Sequence, residues 1–343
     1  MKSADLQALR AEALLKLADG DTEAALASLK ALASSDIEAV DAYIVTGSLL
    51  RDKGEHHKAE RIHKSILEKN DLSALMHQTA VRELIKDCIA AEDYKSVLLL
   101  TEKADSGFLF LIKKENIALI PFRAYALEKS GHFKEAAELY KKYAKLEQAY
   151  LKKAARCWFA ASKDTDGDRS QAIKLLTYAE NCDPSFFEAK AEKANLLFLE
   201  GKRSKGLSLC DEIIKNELPR CTEHMNILEE FYYAHSDMGA LFNSVMKKIN
   251  SGSANVPFYI YAARYHARKN EADKAKSIIS ICAAGHSFPA ALAAAYAEIL
   301  EDELLGTYFK ARPLYRCADC GAEHGNYADI CAGCGSTGTL AYL

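Results

Sequence analysis

Proline is scarce in this chain, at 6 residues in 343, and tryptophan occurs once. Each proline inside a helix would delete a backbone donor and clash with the preceding turn, so a chain this poor in proline can run long helices unbroken. Glycine is modest at 17, which also favours helix over sheet. Neither sign of charge is in excess. The 45 Lys and Arg against 48 Asp and Glu give a formal net charge of -3, so no global field draws the chain to nucleic acid or anionic lipid. A run of about 18 apolar residues, the length that crosses a bilayer, is also missing. The apolar stretch Gly107 to Ile112 stops at Lys113, Lys114 and Glu115. The opening MKSADLQALRAEALLKLADGD lacks the uninterrupted apolar segment of a secretory signal. The sequence holds no HExxH motif, phosphate loop or Ser/His/Asp set, which argues against an enzyme. The expectation is a soluble, non-catalytic protein of a reducing, cytoplasmic compartment that spans no membrane and binds no nucleic acid.

What the chain has is helix-forming apolar material. Hydrophobic residues make up 49% and charged residues 27%, with Ala and Leu recurring throughout, a balance that favours packed helix over sheet or disorder. Six cysteines are scattered singly (Cys88, Cys157, Cys182, Cys210, Cys221 and Cys282) and read as small buried hydrophobes.

A 34-residue helical-hairpin template fits several windows. It asks for small residues where two antiparallel helices cross, glycine where the first helix ends, and an apolar stripe on the second. One window has Gly47, Leu50, Gly54, Ala59 and Ile66, and another Ala124, Leu127, Gly131, Ala136, Tyr140 and Tyr143. A third has Ala160, Gly167, Ala172, Leu176, Ala179 and Pro184. A fourth has Ala194, Leu197, Gly201, Gly206, Cys210 and Ile213, and a fifth Ala263, Asn270 at the turn, Ala275, Ile279 and Cys282. Weaker units fall near 4–34, 74–104 and 221–250. The pattern resembles the tetratricopeptide repeat. A hairpin cannot bury its stripe alone, so the expectation is an all-α, right-handed superhelix with a long concave face. First-helix positions predicted to face inward include Arg51, Arg82, Lys86, Tyr125, Asn195, Arg264 and Arg268. As a set they suggest a groove for an acidic or polar segment of a partner protein. The Lys-rich, aromatic run from Tyr140 to Phe159 is read as core aromatics with a solvated opposite face.

The C-terminus reads Cys317-Ala-Asp-Cys320-Gly321, ten intervening residues, then Cys331-Ala-Gly-Cys334-Gly335. Two such turns converge four sulfurs into a tetrahedral site for one structural Zn2+ or a mononuclear iron. A segment so small has little core, so the ion would supply folding free energy on the order of 10 kcal/mol. Four thiolates leave no open position for hydrolysis. His324 is read as a surface loop residue. Leu314, Tyr315, Ile330 and Leu340 are expected to dock on the neighbouring helices. The predicted division is 1–310 repeats and 311–343 metal knuckle.

Repeats followed by this knuckle resemble the lipopolysaccharide assembly protein B family of Gram-negative bacteria. Three stretches carry the likeness: Gly54-Glu55-His56-His57-Lys58-Ala59-Glu60-Arg61-Ile62-His63, Leu84-Ile85-Lys86-Asp87-Cys88-Ile89-Ala90-Ala91-Glu92-Asp93-Tyr94, and Tyr315-Arg316-Cys317 with its spacing to Cys331. The resemblance implies a rubredoxin-type knuckle packed on the repeats. It also implies an adaptor that brings the lipid A pathway deacetylase to a membrane AAA+ protease, at the cytoplasmic face of the inner membrane. The sequence departs from the family at Ile330 and Ala332, where the family carries an aromatic and a proline, and in having no N-terminal membrane helix. The competing readings are a rubredoxin-like iron electron carrier and a general repeat scaffold with other clients.

Overall fold

The structure, a computed structural model, describes residues 8, 11–13, 15–16, 19, 21–35, 40–69, 72–105, 116–235, 238–285, 290–299, 301, 313–336 and 338–342. The chain forms two compact units, Met1–Cys157 and Trp158–Leu343.

The first unit contains α1 (Thr22–Ser35), α2 (Val40–Asp52), α3 (His56–Leu67), α4 (Ala74–Ala90), α5 (Tyr94–Asp105), α6 (Ile120–Lys129) and α7 (Phe133–Tyr143). The division between the units falls within α8 (Tyr150–Lys163). The second unit continues with α9 (Arg169–Cys182), α10 (Phe187–Leu199), α11 (Arg203–Lys215), α12 (Thr222–His235), α13 (Met238–Asn250), α14 (Val256–Arg268), α15 (Ala272–Gly285) and α16 (Ala290–Ile299). It ends in three short strands, β1 (Tyr315–Cys317), β2 (Glu323–His324) and β3 (Leu340–Tyr342). The boundary expected at 310/311 lies outside the described residues, as does the stretch Gly107 to Ile112.

Sequence neighbours pack as hairpins, α2 on α3, α6 on α7, α10 on α11 and α14 on α15. The first helices of successive hairpins also touch: α2 meets α4, α10 meets α12, and α12 meets α14. That second set of contacts stacks one hairpin on the next and buries the stripe each would otherwise expose. The turns explain why each hairpin closes. Gly54, Gly131, Gly167 and Gly201 hold φ between +72° and +83° at the ends of first helices, a conformation L side chains resist. Asn270 takes the same role at φ +59°. N-caps start other helices: Ser73 Oγ accepts from the Met76 N–H at 3.2 Å, and an Asp168 carboxylate oxygen from the Gln171 N–H at 3.0 Å.

Small residues at the helix crossings are required by what faces them. A Cβ on Gly206 would lie 2.4 Å from the Phe198 ring, so the crossing of α10 and α11 admits only glycine there. The template's apolar positions form the core, with Ala59, Ile66, Ala136, Ala172, Leu176, Ala194, Cys210, Ile213, Ala263, Ala275 and Cys282 all buried. The all-α repeat class and the small C-terminal knuckle are those the sequence predicts. In the Tyr140–Phe159 run, Tyr140 and Trp158 are buried while Lys141, Lys142, Lys145, Lys152 and Lys153 are exposed.

Candidate metal centre

The knuckle is a three-stranded antiparallel sheet in the order β2-β1-β3, with Tyr315 opposite His324 on one side and Tyr342 on the other. The two C-x-x-C turns are built alike. The Gly321 N–H donates to the Cys317 carbonyl at 2.9 Å, and the Gly335 N–H to the Cys331 carbonyl at 2.8 Å. Both glycines have positive φ, +74° and +71°. Without a Cβ the chain turns back sharply after the second cysteine of each pair, and all four sulfurs point inward.

The Sγ atoms of Cys317, Cys320, Cys331 and Cys334 lie within 4.8 Å of one another, the one such group of His, Cys, Asp or Glu among the described residues. Cys317 and Cys334 sulfurs are 3.7 Å apart, as are those of Cys320 and Cys331. A tetrahedron with metal–sulfur bonds of about 2.3 Å has edges of about 3.8 Å, so these separations fit one four-coordinate ion. The electrostatics fit as well. The Thr339 hydroxyl, 3.2 Å from Cys317 Sγ, leads in holding that thiol down to about 6. Ser336 lowers Cys334. The Ala322 amide favours a Cys320 thiolate, but Cys334, burial, Cys331 and Cys317 together outweigh it and push that thiol up to about 12. Four sulfurs this close resist ionising together unless a cation sits among them. Zn2+ or an iron ion bound there would cross-link the two turns; four cysteines placed this way can hold a metal ion, whichever it is.

The chain around the sulfurs supplies further contacts. Gly333 N–H donates to Cys331 Sγ at 3.3 Å, and His324 Nε2 lies 3.3 Å from the same sulfur. His324 is therefore not a loop bystander: pairing with Tyr315 places it on β2 and aims its ring at the site.

One face of the knuckle is sealed against the start of α12. Cys221 packs with Tyr315, Cys317, Cys331 and Leu340, and Leu314 borders that cluster. Arg220 Nη1 donates to the Gly338 carbonyl at 2.7 Å, and the His224 ring meets Tyr327 edge-on at 5.2 Å. His224 in turn stacks on Phe187 at 3.9 Å. One expectation is corrected here: Ile330 does not dock and is half exposed. Leu314, Tyr315 and Leu340 do pack on a helix, at the start of α12. Arg220, Cys221, His224 and Thr339 are the contributors that spacing alone missed; Cys221 read as ordinary core because nothing in its own window pointed to the C-terminus.

The residues assigned to the inward face fall in both units. Arg51, Arg82, Lys86 and Tyr125 lie in the first; Asn195, Arg264 and Arg268 lie in the second. Most of the cations meet carboxylates. Arg51 bridges Glu83 and Asp87 at 2.8 Å each, Lys86 bonds Glu83 at 2.6 Å, Arg264 bonds Glu298 at 2.7 Å, and Arg268 bonds Glu229. Arg82 is exposed, Asn195 is half-buried, and Tyr125 packs edge-on against Tyr94 at 6.1 Å. Several of these pairs link first helices of adjacent hairpins, so the cations hold the stack together.

No helix among the described residues is long and apolar enough to cross a membrane. No protein-family model matches the chain. Among solved structures, a tetratricopeptide repeat protein from Parabacteroides merdae is similar at 12% identity and a TM-score of 0.40, over 87% of this chain and 100% of that one. The C-terminal part of a repeat-containing protein from Cytophaga hutchinsonii is similar at 10% identity and a TM-score of 0.43, over 80% and 94%. Lipopolysaccharide assembly protein B of Haemophilus influenzae is 22% identical over 218 residues, 60% of this chain and 53% of that protein. The chain thus spans about half the length of the curated relative it matches. By direct comparison, then, this chain is similar to lipopolysaccharide assembly protein B.

Proposed function

We propose that the chain is a protein-binding adaptor whose repeats hold a client and whose knuckle is a metal-fixed part of the scaffold. The observation that supports this reading most is the burial of two of the four sulfurs against α12. An all-thiolate site with half of its ligands sealed into the repeat stack serves packing, and leaves no position for substrate on the ion. Cys317, Cys320, Cys331 and Cys334 hold one Zn2+ or iron ion in this reading, and the repeat faces bind protein. The chain is not an enzyme in this reading, and it works in the cytoplasm. Following its likeness to lipopolysaccharide assembly protein B, we infer that its clients are the lipid A pathway deacetylase and a membrane AAA+ protease.

The test is capture of those two purified proteins by the full chain. Wild type is expected to retain both. Arg82→Glu is the informative groove variant, because Arg82 is exposed, whereas reversing Lys86 would set a second carboxylate beside Glu83 and disturb folding. Weakened capture by Arg82→Glu at unchanged melting temperature supports the groove. Failure of the wild-type chain to hold either protein removes the assigned clients.

A further inference from the structure

Each C-x-x-C turn pairs one buried cysteine with one exposed cysteine. Cys317 and Cys331 are buried in the apolar cluster with Cys221, Tyr315 and Leu340, whereas Cys320 and Cys334 are exposed. The two 3.7 Å sulfur contacts run across the turns: exposed Cys334 against buried Cys317, and exposed Cys320 against buried Cys331. A reagent arriving from solvent meets Cys320 and Cys334 first. The thiol standing ready to react next is the buried one of the opposite turn.

We propose that the knuckle is a peroxide-sensitive clasp, in which attack at the exposed cysteines converts the ligand set into two cross-turn disulfides, Cys317–Cys334 and Cys320–Cys331, and expels the ion. This rests on the reading of the four cysteines as ligands of one ion. In the first step the exposed thiolate attacks a peroxide oxygen; an S–O bond forms, the O–O bond breaks and hydroxide leaves. The buried thiolate then attacks the oxidised sulfur; an S–S bond forms, the S–O bond breaks and a second hydroxide leaves. Each disulfide passes two electrons to one peroxide, and two protons from solvent convert the hydroxides to water. With both pairs oxidised the divalent ion has lost all its thiolate ligands.

Closing the pairs also draws Cys317 Sγ from the Thr339 hydroxyl, and Cys331 Sγ from His324 and the Gly333 N–H. These are the two sulfurs that pack beside Cys221. Oxidation begun on the outer face is in this way felt at the seam with α12.

The experiment uses the full chain loaded with Zn2+ alone, its zinc content measured before any oxidant is added. A chain that retains no zinc at that stage overturns the ligand reading, and the clasp with it. For the loaded chain, hydrogen peroxide is expected to release zinc to a chromogenic chelator at about two peroxides per ion. Peptide mapping should then find the two cross-turn disulfides. Before oxidation, N-ethylmaleimide should label Cys320 and Cys334 at least about tenfold faster than Cys317 and Cys331. Equal labelling, disulfides within a turn (Cys317–Cys320 and Cys331–Cys334), or zinc release without these disulfides would each overturn the clasp while leaving the metal site intact.

Discussion

His63 and Asp87 meet inside the first unit with both side chains fully buried, the imidazole Nδ1 bonded to the carboxylate. The other ring nitrogen faces the Ile44 carbonyl at 3.1 Å. Arg51 takes the second Asp87 oxygen at 2.8 Å and reaches Glu83, which also accepts from Ser48 at 3.0 Å. The network ties α2, α3 and α4 together, and it joins the two N-terminal stretches that carry the family likeness. Breaking a buried ion pair from one side is far more costly than never having built it. Asp87→Ala is therefore expected to cost about 3–5 kcal/mol by leaving Arg51 and His63 without their shared acceptor. Urea denaturation measures it, and a loss below about 1 kcal/mol would contradict the network's closure.

Gly47 belongs to the same joint. A Cβ there would lie 2.5 Å from the His63 ring, which is fully buried and cannot swing aside. Gly47→Ala should destabilise by about 1–3 kcal/mol. The two positions should couple: with His63→Ala in the background, the further effect of Gly47→Ala should largely vanish. Additive losses in that double-mutant cycle would mean the clash is relieved elsewhere.

Glu83 gives the joint an acid limit. Burial opposes its charge, but hydrogen bonds from Lys86, Arg51 and Ser48 prevail and hold the carboxyl down to about 2. A carboxyl depressed in the folded state lends stability that is complete above its unfolded pKa, near 4.5. That stability is lost as pH falls from there through about 2. Its size is on the order of 3 kcal/mol. Glu83→Gln should flatten the fall in stability between those pH values, as chemical denaturation at stepped pH would show. A wild-type acid slope surviving unchanged in the variant would assign it to other carboxylates.

The turn between α4 and α5 departs from the repeat pattern. Where Gly54, Gly131 and Gly201 end their first helices, this turn has Glu92 at φ +57°. A non-glycine residue in this region costs roughly 1–2 kcal/mol. The exchange Glu92→Gly is expected to stabilise by up to about 1 kcal/mol, offset in part by the greater freedom glycine has in the unfolded chain. A drop in melting temperature would show that the Glu92 side chain holds the turn.

These residues mark what could be read in advance. The hairpins were legible because their requirements are local: a small residue at a crossing, a glycine at a positive φ, an apolar stripe at helical spacing. The four cysteines were legible because two identical short turns confine sulfur geometry whatever surrounds them. Contacts between distant segments were not. Nothing near Arg220 or Cys221 signals that the knuckle lies on them, and nothing near Arg51 shows that Glu83 and Asp87 occupy its guanidinium. Ile330 illustrates the opposite error: an apolar residue on a small module need not be covered by its neighbours.

Metal removal separates a docked knuckle from a tethered one. If an ion fixes the two turns, it also fixes Tyr315, Tyr327 and Leu340 against the start of α12, because β1 ends in Cys317 and Cys331 of the second turn packs in the same cluster. Chelation should then free more than residues 313–342. Protection should fall as well around Arg220 to His224, which lose the Gly338 carbonyl and the Tyr327 ring, and at Phe187, which His224 buttresses. The hairpin of α14 and α15 should be affected less, since its two helices pack on each other and Ala263, Ala275, Ile279 and Cys282 are buried, and the first unit not at all, since coupling in such stacks runs between nearest neighbours. Hydrogen exchange on the full chain before and after chelation reads each of these segments. Loss confined to the knuckle would show that α12 holds its place without it; loss spreading first through α14 and α15 would mean that the ion's influence enters the repeats elsewhere than at Cys221.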